Sequence, residues 1–193
     1  MEVLQLLISG ISQGCVYGLI ALGFVLIYKA TEMVNFAQGD LMMLGAFFAY
    51  SYVNIFELPF YLAFPATILT MAMVGALTER LLLRPMIGEP HFSVLMLTIG
   101  LGFILRAVAG AIWGNEPRAL STPYAGGVID LNGLIIGDEN LVIILGTAAL
   151  CLLLYFFFRF TRLGLAMQAA SQNQLAAFYV GIPVKRVYSM VWA

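Results

Sequence analysis

The residues equipped for chemistry in this chain are few, and none of them stands at catalytic spacing. The stretch Thr31–Gly45, TEMVNFAQGDLMMLG, interleaves Glu32, Asn35, Gln38 and Asp40 with Val34, Phe36 and Ala37. Arg106 stands alone as a charge inside an apolar run. A charge inside a membrane faces protein or water by default, or it snorkels toward the interface. His91 is the only histidine, so no metal pair or nucleophile–base couple can be built on it. Cys15 and Cys151 both lie in apolar runs, and no disulfide framework or metal-ligand spacing follows from them. The carboxylates are dispersed, with no acid/base pair at a defined spacing. No Walker A sequence is present, so the chain does not hydrolyse ATP by that chemistry itself. No basic patch with interleaved aromatics suggests nucleic acid.

Positioning these residues falls to membrane helices. The composition is 62% hydrophobic and 10% charged, where a soluble domain carries about 25% charged residues. So few charges do not cover a globular surface, and the expected fold class is an all-α integral membrane protein, a polytopic transmembrane helix bundle. Five apolar stretches reach, or nearly reach, the roughly 20 residues that cross a bilayer: Leu4–Ile27, Leu41–Phe56, Phe60–Leu83, Phe92–Trp113 and Leu141–Phe160. A sixth begins near Val187 and stops at Ala193, which reads as a truncated span and a C-terminally incomplete chain. One transmembrane domain over 1–193 is expected. The first stretch lacks a basic n-region and a small-residue cleavage site, so it reads as a retained helix.

The first span carries Gly10, Gly14 and Gly18 at intervals of four, a small-residue face suited to helix packing. Gln13 lies beside it and can bond across such a contact, or line a path. The second span is short for a full crossing. With the polar residues before it, this pattern suits a broken or re-entrant helix, tolerated only where protein or a water-filled cavity surrounds it. Asn35 and Gln38 are read either as translocation-path residues or as caps of the next helix. Asp40 reads as a charge complementing a helix N-terminus. Arg106 is either a cavity-lining path residue or a structural one. The third span ends Glu79-Arg80-Leu-Leu-Leu-Arg84-Pro85, where Glu79 can pair with Arg80 or Arg84 and Pro85 stops the helix. Between Gly114 and Asn140 the sequence VIDL-NG-LII predicts a small β-hairpin, because Asn132-Gly133 favours a type I′ turn.

The interval Thr161–Arg186 is the longest polar one after a clean span. Ser171 and Gln174 have capping-box spacing, and Gly181 followed by Pro183 marks a helix end, so a helix is predicted from Gln172 to Val180. Leu175, Phe178 and Tyr179 would share one face.

Three of these stretches carry a family resemblance. VNFAQGDLMMLGA resembles the NFA-(His/Gln)-G-(Glu/Asp) signature of branched-chain amino acid and urea or amide permeases. The ER-x-x-x-RP ending resembles the same family. RLGLAMQAAS…AAFYVGI, with Ala176-Ala177-x-x-x-Gly181, resembles the EAA loop of ATP-binding-cassette importer permeases, although Leu175 stands where that loop has Glu. The resemblance implies a permease subunit working by alternating access, with no cofactor of its own and with ATP bound on partner subunits. The implied coupling residues are Leu175, Ala176, Ala177, Phe178, Tyr179 and Gly181. The implied partners are a second permease subunit, two ATP-binding subunits, an extracytoplasmic solute-binding protein and membrane lipid. The implied cargo is leucine, isoleucine or valine, with urea or short amides as the alternative. An ATP-independent secondary carrier or a channel, and a membrane scaffold, are the readings from other classes.

Basic residues set the expected orientation in a bacterial inner membrane. With the 161–186 loop cytoplasmic, Lys29, Arg80, Arg84, Arg159, Arg162, Lys185 and Arg186 fall inside. The N-terminus, Arg118 and the hairpin fall outside.

Overall fold

The computed structural model describes residues 2–31, 33–86, 89–124, 126–131 and 134–181. Helices dominate it. In chain order they are α1 (Glu2–Thr31), α2 (Gln38–Tyr50), α3 (Phe60–Thr78), α4 (His91–Trp113), α5 (Asp138–Phe160), α6 (Arg162–Gln172) and α7 (Gln174–Tyr179). Strands β1 (Val128–Leu131) and β2 (Leu134–Gly137) lie between α4 and α5. Four helical stretches among the described residues are long and apolar enough to cross a membrane: Val3–Lys29, Phe60–Met86, Phe92–Trp113 and Asp138–Phe160. The protein is thus an all-α polytopic membrane protein. The expected span Leu41–Phe56 is different. Its α-helix runs for 13 residues and is prolonged only by a π-helical turn, Ser51–Ile55. The sixth expected stretch, from Val187, lies outside the described residues.

The chain groups into two compact units, one of residues 1–23 with 122–165 and one of 24–121 with 166–193. In the first, β1 and β2 pair antiparallel with Leu131 opposite Leu134, the two-residue connection that the sequence predicts at Asn132-Gly133. The turn residues themselves lie outside the described residues. The hairpin is tied to the start of α5 by the Asp138 amide, which donates to Gly127 O at 3.0 Å. Leaving α5, Thr161 caps the next helix: its hydroxyl accepts from the Gly164 amide at 3.0 Å and donates to Phe157 O at 2.6 Å. Gly164 sits so tightly on the Phe157 carbonyl that a Cβ has no room there. Gly10, Gly14 and Gly18 have no atom within 4 Å of a Cβ built on them, so within their own unit the small-residue face is open.

In the second unit α2 packs between α3 and α4. One apolar cluster joins Ile27, Leu83 and Val94; another joins Leu44, Ala109 and Trp113, with Met43, Phe47, Phe48, Met71 and Val74 around it. Trp113 is fixed on three sides. Its ring stacks on Phe47 at 5.1 Å, meets Phe48 edge-on at 5.7 Å, and its Nε1 donates to Ser51 Oγ at 2.7 Å.

The end of the third span resolves a choice the sequence leaves open. Glu79 pairs with Arg84, not Arg80, through two bonds of 3.1 and 3.3 Å. Residues five apart sit well round the axis from one another in an α-helix. Here Glu79–Leu83 forms a π-helical turn, whose wider i→i+5 winding brings positions 79 and 84 onto one face.

Candidate functional site: a broken helix held by a buried carboxylate

Between α1 and α2 the backbone leaves the helix. Residues 33–35 are irregular, and a turn at Phe36 and Ala37 leads into α2. Irregular backbone beside a membrane span must find partners within protein, and this segment does. Asn35 is 1% exposed. Its Oδ1 accepts from the Ala37 amide at 3.0 Å and its Nδ2 donates to Gln38 Oε1 at 3.4 Å. Thr98 of α4, also 1% exposed, accepts from the Phe36 amide at 3.3 Å and donates to Leu95 O at 3.0 Å. The sequence thus gives a break where the polar cluster predicts one. Asn35 is engaged with backbone in the manner of an Asx turn, two residues before the N-cap Ala37. Ala37, the N-cap residue itself, supplies no side-chain bond.

One turn further, Asp40 enters α2 and turns to α4. It is 8% exposed, and Arg106 Nε donates to its Oδ1 at 2.8 Å. Gly102 makes the room: a Cβ there would lie 2.5 Å from Asp40 Oδ2. The dipole role expected for Asp40 is compatible with its place in the first turn of α2, but its partner is Arg106. The sequence reading treats the two charges separately. The signal that joins them is the scarcity of intramembrane charge, since one arginine in a span calls for one carboxylate. Contact is repeated at Ser51, in the π-helical continuation of α2, and Trp113, equally far along the chain from Asp40 and from Gly102, so the two helices climb in parallel. α2 therefore starts level with the middle of α4, which is why it is too short to cross alone.

Among the described residues, hollows flank this pair of helices on two sides. One, of about 830 Å³, is bordered by Tyr28, Lys29, Met33, Val34, Leu95 and Ser171. It places the end of α6 beside the break. The other, of about 450 Å³, lies toward the C-terminal end of α4 and is bordered by Met43, Phe47, Arg106, Glu116, Arg118 and Leu120 among others. Arg118 is held there by Nε on Trp113 O at 3.0 Å and Nη1 on Tyr50 Oη at 3.1 Å, with its guanidinium 5.4 Å from the Tyr50 ring centre.

The polar loop differs from its predicted form. α6 occupies Arg162–Gln172, and α7 runs only from Gln174 to Tyr179. Ser171 does not cap α7. It lies in the last turn of α6, where its hydroxyl donates to Gln168 O at 2.8 Å. The cap is Asn173, whose Oδ1 accepts from the Ala176 amide at 2.9 Å. Good helix formers from Arg162 onward carry α6 through Ser171, and Asn173, an equally strong cap, takes over at the interruption. Gly181 has φ +89, the left-handed conformation expected of a glycine after a helix end. Ala177 is buried, whereas Ala176 and Tyr179 are exposed. The side chains of Leu175 and Phe178 lie outside the described residues, as do Lys185 and Arg186. Among the described residues no group of His, Cys, Asp and Glu is placed to hold a metal ion.

Comparison with known proteins agrees with this architecture. A family model described as branched-chain amino acid transport system / permease component matches residues 6–193. The high-affinity branched-chain amino acid transport system permease protein BraD of Pseudomonas aeruginosa is 25% identical over 201 residues, covering 98% of this chain and 66% of that protein. The LivH permease protein of Escherichia coli is 25% identical, covering 98% of this chain and 65% of that protein. A probable LivH permease of Methanocaldococcus jannaschii is 29% identical over 179 residues, covering 90% of this chain and 56% of that protein. The chain thus spans just under two thirds of the length of the first two relatives. No solved structure matches. A match to the family across nearly every residue, on a helical membrane fold with a broken second helix, places the chain in the family of branched-chain amino acid transport system permease components.

Proposed function

We propose that this chain is the permease subunit, or the larger part of one, of an ATP-binding-cassette importer for leucine, isoleucine and valine. The observation that carries the reading is the family match over residues 6–193, joined to relatives named as branched-chain amino acid permeases. In this reading the chain sits in a bacterial inner membrane with the hairpin outside and α6–α7 inside. A solute-binding protein docks outside, a second permease subunit stands alongside, and two ATP-binding subunits bind and hydrolyse ATP inside. α7, with Leu175, Ala176, Ala177, Phe178, Tyr179 and Gly181, is the docking helix. Its motion reaches the break through the end of α6, because Ser171 borders the same hollow as Met33 and Val34. Asn35 scaffolds the break, while Gln38 and Arg106 border the path. Gly10, Gly14 and Gly18 receive a helix of the assembly.

The test is uptake of labelled leucine and labelled urea by proteoliposomes holding the full-length subunit with its neighbours, with and without internal ATP. ATP-dependent leucine uptake is expected. ATP-dependent urea uptake would replace the cargo and keep the mechanism. Uptake that ignores ATP would mean a secondary carrier.

A further inference from the structure

Resting on the importer reading above, we propose that the hollow at the C-terminal end of α4 binds the cargo as a zwitterion, with its carboxylate on Arg106 and Arg118 and its ammonium on Glu116. The hollow measures about 450 Å³, within the roughly 300–1,000 Å³ of small-molecule sites. Three of its lining residues are charged, and they differ in sign. Arg106 spends Nε on Asp40, and its side chain remains 64% exposed. Its terminal nitrogens have no partner among the described residues. Arg118 spends Nε and Nη1 on Trp113 and Tyr50, which fixes the plane of its guanidinium and leaves Nη2 open. Glu116 is exposed on the loop between them. Planar guanidinium groups suit a carboxylate.

The balance of charge selects further. Two guanidinium groups stand against two carboxylates, Glu116 and the buried Asp40. The hollow is neutral in sum and polar in detail, which disfavours a net anion or cation and suits a molecule carrying both charges. Urea has neither charge, so it forms no ion pair with the guanidinium groups or with Glu116 and cannot take a guanidinium in the bidentate carboxylate manner. Met43, Phe47 and Leu120 supply an apolar wall for an aliphatic side chain. A methionine adapts to differing shapes, so the wall takes more than one branched side chain. Phe47 is itself immobilised by stacking on Trp113.

The experiment uses the full importer in proteoliposomes with its native cysteines replaced and Leu120→Cys introduced. The rate at which a membrane-impermeant maleimide labels Cys at that position is measured alone and with leucine, leucinamide, 4-methylpentanoate or urea. At a leucine concentration about ten times its Kd, labelling is expected to slow about tenfold, because the unoccupied fraction falls as the reciprocal of one plus the ratio of free leucine to Kd. The other three at the same concentration leave it unchanged. Arg106→Gln should abolish protection by leucine, and Arg106→Lys should restore part of it. Glu116→Gln, an exposed change that touches no packing, should weaken protection by leucine and admit 4-methylpentanoate. Gel filtration of each variant importer reads assembly separately from binding, and Glu116→Gln, which leaves Asp40 and Arg106 paired, carries the test where Arg106→Gln does not assemble. Equal protection by leucinamide, protection unchanged by Glu116→Gln, or no protection by leucine would overturn the site. Failure of leucine uptake with protection intact would instead sink the importer reading and leave the site standing.

Discussion

Asp40 has its place because residue 102 has no side chain. A Cβ at Gly102 would press on Asp40 Oδ2 at 2.5 Å, while at Gly100 nothing lies within 4 Å. Gly102→Ala should therefore destabilise the protein by about 1–3 kcal/mol, the usual cost of overpacking, and displace Asp40 from Arg106. Gly100→Ala should be neutral or slightly stabilising, since alanine is the better helix former. Thermal unfolding of both variants in detergent is the check; equal melting temperatures would remove Gly102 from this role. Asn35 offers a second case. Its Oδ1 satisfies the amide of Ala37, which is 0% exposed. Asn35→Ala leaves that donor buried and unpaired, at about 1–3 kcal/mol. The loss should appear in unfolding and in faster amide exchange at Ala37.

At the scale of elements, short interruptions of the helices shape the chain. The π-helical turn at Glu79–Leu83 aligns Glu79 with Arg84. Arg84→Ala should cost about 1 kcal/mol, because charge-assisted bonds are strong but Arg84 is 40% exposed, which weakens the pair. Arg80→Ala should cost less, and a larger loss at Arg80 would reverse the assignment. Asn173 starts α7. Asn173→Ala should remove about 0.5–2 kcal/mol of local stability and fray α7, whereas Ser171→Ala should not. Hydrogen exchange along 174–179 distinguishes the two. Gly164 forms the elbow between α5 and α6, where its close approach to Phe157 O excludes a side chain.

For the whole molecule the prediction concerns coupling. A bulky charge at Ala177 or Gly181 should uncouple ATP hydrolysis from uptake while the protein still reaches the membrane. Ala177 is 4% exposed, and Gly181 has a backbone that side chains rarely adopt. Normal uptake in Ala177→Glu would remove the docking role from α7. A protease site near Asn132 should be cut from outside intact spheroplasts, and protection there would invert the orientation.

The sequence by itself determined the membrane class, the break and the hairpin. Apolar length, a polar cluster and an Asn-Gly step are local features, and local physics reads them: burial of whole spans, unsatisfied backbone in an apolar medium, and a turn that needs positive φ. Gly181 is legible for the same reason. What only the tertiary structure decided is which distant groups meet. Asp40 with Arg106, Phe36 with Thr98, and Ser51 with Trp113 are each separated by more than sixty residues. Each pairing follows from α2 and α4 lying parallel, and no periodicity along the chain encodes that. The choice of Arg84 over Arg80 depended on a π-helical turn, and that of Asn173 over Ser171 on where α6 ended. Both are contests between nearly equal local options, settled by the backbone that the packed helices require.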